Sequence, residues 1–172
     1  MNIICKRKIS KFLIVVNCAI SVGFLACGPY SFSGSSVPSH LKTIAVPLVA
    51  DQTSEFGVRE NLTDAIISEI TEDNSMKIAN ESEANAILSG RIIAVDDRAD
   101  TFTADENVES YRVYITVEFE VQDRVKNTSL WKEKWSQWGL YKLNDSPTRE
   151  EGIQEAIEKI AEDILNKTVS GW

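Results

Sequence analysis

YRVYITVEFEV, residues 111 to 121, alternates apolar and polar side chains without a break. Tyr111, Val113, Ile115, Val117, Phe119 and Val121 fall on one side of an extended chain; Arg112, Tyr114, Thr116, Glu118 and Glu120 fall on the other. Successive side chains of a strand point to opposite faces, so a strict period of two marks a strand with one core face and one largely wet face. Whatever surrounds this strand must therefore cover one side of a sheet and leave the other open.

Downstream, Asp123 to Thr128 is a polar loop of hairpin length, and Ser129 to Leu140 reads as the antiparallel partner strand. Trp131 and Trp135 share a face of that strand, but Trp138 has the opposite parity. Either a bulge or twist returns Trp138 to the core, or the ring stays exposed at a partner surface. Upstream, Ala86 to Val95 is apolar apart from Ser89, Gly90 and Arg91 and reads as a buried central strand. Asp96 to Asn107, where acidic residues surround the single Arg98, reads as a solvated loop without the ligand spacing of a cation site. Met76 to Ala79 is a short strand, and Thr43 to Val49 is a strand at an edge or bulged, because Pro47 cannot donate a ladder hydrogen bond.

Two helices complete the pattern. Val58, Leu62, Ala65, Ile66 and Ile70 recur at helical spacing, as do Ile153, Ala156, Ile157, Ile160, Ala161, Ile164 and Leu165. The second helix should run from about Pro147 to Val169, started by Ser146 with Pro147 in the first turn or by a capping box of Thr148 and Glu151. Two amphipathic helices and a sheet with one apolar face predict an α+β two-layer sandwich, the helices packed on one face of a mixed four- to five-stranded sheet.

The N-terminus carries a different signal. Lys6, Arg7, Lys8 and Lys11 precede the apolar stretch Phe12 to Ala26, which is interrupted only by Asn17, Ser21 and Gly23. It is too short to span a bilayer comfortably, which takes about 20 apolar residues, and has the length of a secretory signal core. Phe24 Leu25 Ala26 Cys27 resembles the lipobox cleaved between Ala26 and Cys27, leaving Cys27 as an acylated first residue. Cys5 and Cys18 lie inside the removed segment, so no disulfide forms within the mature chain. Residues 1–26 are thus read as signal, 27–40 as a lipidated tether rich in Pro, Ser and Gly, and 41–172 as one domain. Several acyl chains on one residue hold a protein stably where a single chain does not, so the expected membrane contact is covalent: an N-acyl diacylglyceryl group on Cys27.

Composition narrows the function. Loss of the four signal cations takes the formal charge from −8 to −12. An acidic surface argues against nucleic acid as a partner, and any anionic ligand would need a local basic site. His40, the single histidine, lies in the tether, and no phosphate loop, paired-Cys metal site or nucleophile motif is present. The chain is read as a non-enzyme with neither cofactor nor metal. A lipid-anchored hydrolase would need a site that these residues do not supply.

The segment CGPYSFSGSSVPSHLKTIAVPLVADQTSEFGVRENLTDAI, Cys27 to Ile66, resembles the start of the lipopolysaccharide-assembly lipoprotein (LptE) family. It has the lipidated Cys, a Tyr followed by SFSGSS, a short strand ending in Pro and a helix containing LTDAI. EAIEKIAEDILNKTVSGW, Glu155 to Trp172, is similar to that family's end. The resemblance implies an outer-membrane lipoprotein on the periplasmic face, partner and plug of the β-barrel translocon LptD, assisting lipopolysaccharide into the outer leaflet. It transfers no lipopolysaccharide site by motif. By chemistry alone Arg124, Lys126, Lys132 and Lys134 are the densest cations, suited to lipid A phosphates, and Trp138 is the candidate for a partner interface. The alternative is a periplasmic adaptor lipoprotein for another envelope complex, a peptidoglycan synthase or a secretion channel.

Overall fold

The computed structural model describes residues 37–170. The expected signal segment, the expected cleavage site at Ala26 and Cys27, the expected acyl site Cys27 and most of the expected tether lie outside the described residues. In chain order the elements are β1 (Thr43–Ala45), β2 (Ala50–Asp51), α1 (Val58–Asp73), β3 (Lys77–Ile78), β4 (Ala86–Phe102), β5 (Val108–Asp123), β6 (Thr128–Tyr141) and α2 (Arg149–Ser170). β4, β5 and β6 form an antiparallel meander. β1 and β2 run parallel to β4 along its other side, and β3 runs parallel to β1, giving the order β3-β1-β4-β5-β6.

This is the expected α+β sandwich with six strands instead of four or five. The extra strand arises at Pro47: the predicted strand Thr43 to Val49 ends at Ala45, and pairing with β4 resumes only at Ala50. A proline lacks the amide that a ladder requires, so the chain leaves the sheet there. Val49 N–H donates instead to Thr63 Oγ1 of α1, 3.2 Å away.

The core lies between the sheet and both helices. Val113, Ile115, Val117, Phe119 and Val121 of β5 are buried against Leu62, Ile66 and Ile70 of α1 and Ile157, Ile160 and Ile164 of α2. α1 starts at Gly57, whose φ of 80° suits a residue without Cβ. At α2 the capping box is the arrangement formed: Thr148 N–H donates to Glu151 Oε2 at 2.6 Å, and Glu151 N–H to Thr148 Oγ1 at 3.3 Å.

The predicted acidic loop from Asp96 is instead largely strand, because β4 continues to Phe102. A register shift between Ile92 and Ala94 makes Ile93 an extra residue. It turns Asp96 and Arg98 to the open face opposite Tyr114 and Arg112, and Asp97 to the helix side. There Arg149, the first residue of α2, holds Asp97 Oδ2 at 3.1 Å and both oxygens of Glu55 at 2.8 and 2.9 Å. Two carboxylates that look like part of a solvated loop are thus paired by cations of other elements, Asp97 by Arg149 of α2 and Asp100 by Arg112 of β5 at 2.8 Å.

Two buried or half-buried carboxylates link the fold to pH. The Asp123 side chain accepts hydrogen bonds from His40 Nε2 at 2.6 Å and from the amides of Val125 and Lys126 at 2.8 and 3.0 Å. Burial pushes its carboxyl up, but these donors together outweigh burial and hold it below the ordinary value. Glu55 is also lowered, chiefly by its hydrogen bonds from Arg149. A carboxylate lowered in the folded state adds stability above its unfolded pKa, near 4, and loses it as pH falls through the folded pKa. The melting temperature should therefore hold from pH 7 to about 5 and fall steeply below about 4. Asp123→Asn should flatten that fall in thermal melts, and an unchanged acid limb would assign the loss to other groups.

Candidate functional site

Helices cover only one face of the sheet. The other face of β4, β5 and β6 presents Arg91, Asp96 and Arg98, then Arg112, Tyr114, Thr116, Glu118 and Glu120, then Lys132, Lys134, Ser136 and Trp138, as the cross-strand register dictates. The wet face of YRVYITVEFEV forms its middle row.

β6 does carry an extra residue, Leu130, but the shift falls before Trp131, so nothing alters the phase between Trp131 and Trp138. Trp131 and Trp135 meet edge to face on the core side, ring centroids 5.4 Å apart, and Trp138 lies on the open face opposite Tyr114. No bulge returns Trp138 to the core. It is half-buried by cations: the Arg112 guanidinium sits 4.0 Å from the ring centroid and Lys159 Nζ 4.3 Å. Arg98 covers Tyr114 in the same manner at 4.4 Å. Lys159 reaches round from α2, donating to the Trp138 carbonyl at 2.9 Å and to Glu155 at 2.6 Å, and Glu155 accepts from Leu140 N–H at 3.1 Å. The Lys159 hydrogen bond, ahead of the others, holds the Glu155 carboxyl below its ordinary value. These two side chains also close the outer edge of β6 to a further strand at this point.

Arg112 pairs with Asp100 at 2.8 Å, yet its Nε is buried without a hydrogen-bond partner among the described residues. Further along, Glu118 is shared by Arg91 at 2.6 Å and Lys132 at 3.3 Å, beside a depression of about 220 Å³. The face is therefore a ladder of Trp, Tyr and Arg flanked by ion pairs. That composition is enriched at protein interfaces, where large rings give much contact area for little lost rotamer freedom and guanidinium groups add forked hydrogen-bond donors.

The four cations singled out in the sequence fall in two places. Lys132 and Lys134 lie on the open face, whereas Arg124 and Lys126 belong to the β5–β6 turn, Arg124 donating to the Glu81 carbonyl. Arg98, Arg112 and Lys159 were not foreseen as site residues. The first two were legible as the wet face of β5 and the stretch before it; Lys159 became a neighbour of Trp138 only through the docking of α2. Among the described residues there is no group of acidic, His or Cys side chains able to hold a metal ion, and no helix long and apolar enough to cross a membrane.

A family model for LptE, lipopolysaccharide-assembly, matches residues 41–168. The chain belongs to that family. The open-faced sandwich is thus an LptE-family domain, and lipopolysaccharide assembly is the role that the family model describes. Solved structures share the fold at low identity. Rare lipoprotein B from Shewanella oneidensis is 17% identical with a TM-score of 0.50, covering 76% of this chain and 96% of its own. A minor lipoprotein from Acinetobacter baumannii is 13% identical with a TM-score of 0.50, covering 78% and 94%. Protein XCC0632 from Xanthomonas campestris is 8% identical with a TM-score of 0.57, covering 78% and 87%. No curated protein matches this chain by sequence.

Proposed function

We propose that this LptE-family protein is the lipid-anchored partner of an LptD-type β-barrel, held on the periplasmic face of the outer membrane by acylated Cys27, and that its open sheet face meets the barrel. The observation that carries the reading is the uncovered face itself: helices bury one side of the sheet, and the other displays Trp138, Tyr114 and Arg112 in an interface-like ladder. Lys132 and Lys134 on the same face are the donors for lipopolysaccharide phosphates, acting as point charges next to a surface already bearing rings for acyl or sugar contact. The mature chain as a whole is acidic, so an anionic glycolipid approaching most of the remaining surface meets like charge.

A photo-crosslinking amino acid at Lys134, on the open face, should capture a large β-barrel protein in intact cells. The same group at Glu158, exposed on α2, should capture it far less. Equal capture from both positions would remove the open face as the contact. The anchor has its own test: Cys27→Ala should leave the domain folded and move it from the membrane fraction to the soluble periplasm. Retention of that variant in membranes lacking the barrel would contradict acyl anchoring.

A further inference from the structure

The two ends of the long β4–β5–β6 meander differ in charge and in what lies beside them. β5 spans 16 residues, so its ends stand roughly 50 Å apart. At one end the β4–β5 turn carries Asp105 and Glu106, with Glu109 just inside β5, and no cation lies between Arg98 and Arg112. At the other, the β5–β6 turn reads Asp123 Arg124 Val125 Lys126. Asp123 is buried under His40, which leaves two cations flanking an exposed valine at the tip. Around this tip Lys42 and Lys77 accompany Asp73, Glu81 and Glu83, so the end as a whole is balanced to slightly basic in a chain whose mature charge is −12.

The same end is where the N-terminal segment leaves the domain. His40 pairs with Asp123 of the turn at 2.6 Å, and Leu41 N–H donates to the Pro38 carbonyl at 2.8 Å, so the chain enters the fold beside the turn that carries Val125. Cys27 precedes His40 by 13 residues, a reach of at most about 45 Å. That is less than the length of the meander, so a lipid on Cys27 excludes an upright pose with the acidic end on the leaflet and favours this end beside it.

We propose that the β5–β6 turn is a membrane-contact tip, in which Val125 enters the headgroup region and Arg124 and Lys126 pair with phosphates of the phospholipid leaflet that holds the anchor. The occupant is the phospholipid surface and not lipopolysaccharide: the tip lies on the tethered end, and both cations sit in the turn beyond the last strand pair, off the open face. The arrangement rests on the acylation of Cys27 and is independent of which barrel the open face meets. It would set the domain upright, its acidic end away from the leaflet.

The test uses the lipidated mature protein reconstituted in vesicles of phosphatidylethanolamine and phosphatidylglycerol. Acylation blocks the native Cys27 thiol, so Val125→Cys and, as a control, Phe102→Cys on the acidic end each give one labelling site; both native side chains are 59% exposed. An environment-sensitive fluorophore at 125 should shift to the blue and be quenched by headgroup-level spin-labelled lipid, and the same fluorophore at 102 should do neither. Lys126→Gln with Arg124→Gln should lower the docked-to-undocked ratio of the tip by roughly thirtyfold, with single Lys126→Gln intermediate. Because Arg124 also donates to Glu81, the single variant keeps the test valid if the double one melts early. Equal quenching at 125 and 102, or quenching at 125 indifferent to both variants, overturns the tip while leaving the anchor and the barrel partnership standing. Failure of the protein to float with vesicles removes the acylation reading and the tip with it.

Discussion

Gly139→Ala should be the most damaging single-methyl change in the domain, lowering stability by about 3 kcal/mol or more. Gly139 lies on the core face of β6, opposite Val113, where the first turn of α2 crosses it. A Cβ at Gly139 would stand 1.9 Å from the carbonyl oxygen of Gly152 and 2.8 Å from its Cα. The obstacle is backbone, not a side chain that can swing aside, so α2 must lift from the sheet. Lifting it pulls Ile153 and Ile157 out of the core and strains the Arg149 pairs with Glu55 and Asp97. Gly152→Ala is the matched comparison. Its Cβ meets Leu140 O at 3.0 Å and Val113 Cγ1 at 3.3 Å, a contact that small shifts relieve. Chemical denaturation should show a large loss for Gly139→Ala and a loss of about 1 kcal/mol or less for Gly152→Ala. Similar values for the two would mean that helix and strand separate easily, contrary to this packing.

Trp138→Ala should weaken partner binding by about two to four kcal/mol, roughly thirtyfold to a thousandfold, while changing the domain's own stability by only about 1 to 2 kcal/mol. The ring contributes little to the core. It rests on Arg112 and Lys159, whose cation–π contacts are each worth about 0.5 to 1 kcal/mol at a half-exposed site. A partner that buries the ring would gain its whole exposed face, and a large aromatic ring desolvated at the centre of an interface carries much of the binding energy. Trp131→Ala separates binding from folding: that ring is buried on the helix side and its loss should cost about 3 to 5 kcal/mol of stability. A Trp138→Ala protein that melts far earlier yet binds normally would place the residue among the structural ones.

Much of the architecture is legible from residues 111 to 121 outward. A period-two strand demands one covered face, and the two helical stripes supply the cover. What the sequence conceals has physical reasons. Ile92 to Val95 are apolar at both parities, so the extra residue Ile93 leaves no mark on the pattern, although it decides that Asp97 meets Arg149 and Arg98 meets Tyr114. The outer half of β4 extends with Asp96, Asp97, Arg98 and Asp100, a composition indistinguishable from a loop until β5 and α2 provide counter-charges. Pro47, by contrast, announces its break, and the structure shows two short strands around it.

The site was legible in part. Trp138 could be flagged by parity alone because an odd offset from Trp135 conflicts with a one-sided core. Its surroundings could not, since Arg112 comes from the neighbouring strand and Lys159 from a helix 21 residues later, brought in by docking. Cations close in sequence were a weaker guide. The run from Arg124 to Lys134 crosses a turn and a strand, and the fold separates it into a hairpin turn and an open face.

We propose the open face as the surface through which a lipid-anchored LptE-family domain meets a barrel in lipopolysaccharide assembly. The most direct measurement is a mild-detergent pull-down of the tagged mature protein from outer membranes, with copurifying proteins identified by mass spectrometry and lipopolysaccharide assayed in the eluate. A large β-barrel recovered in near-stoichiometric amount together with lipopolysaccharide, both lost with Trp138→Ala, is the predicted result. Recovery of a peptidoglycan synthase or a secretion channel, with no barrel, would contradict it.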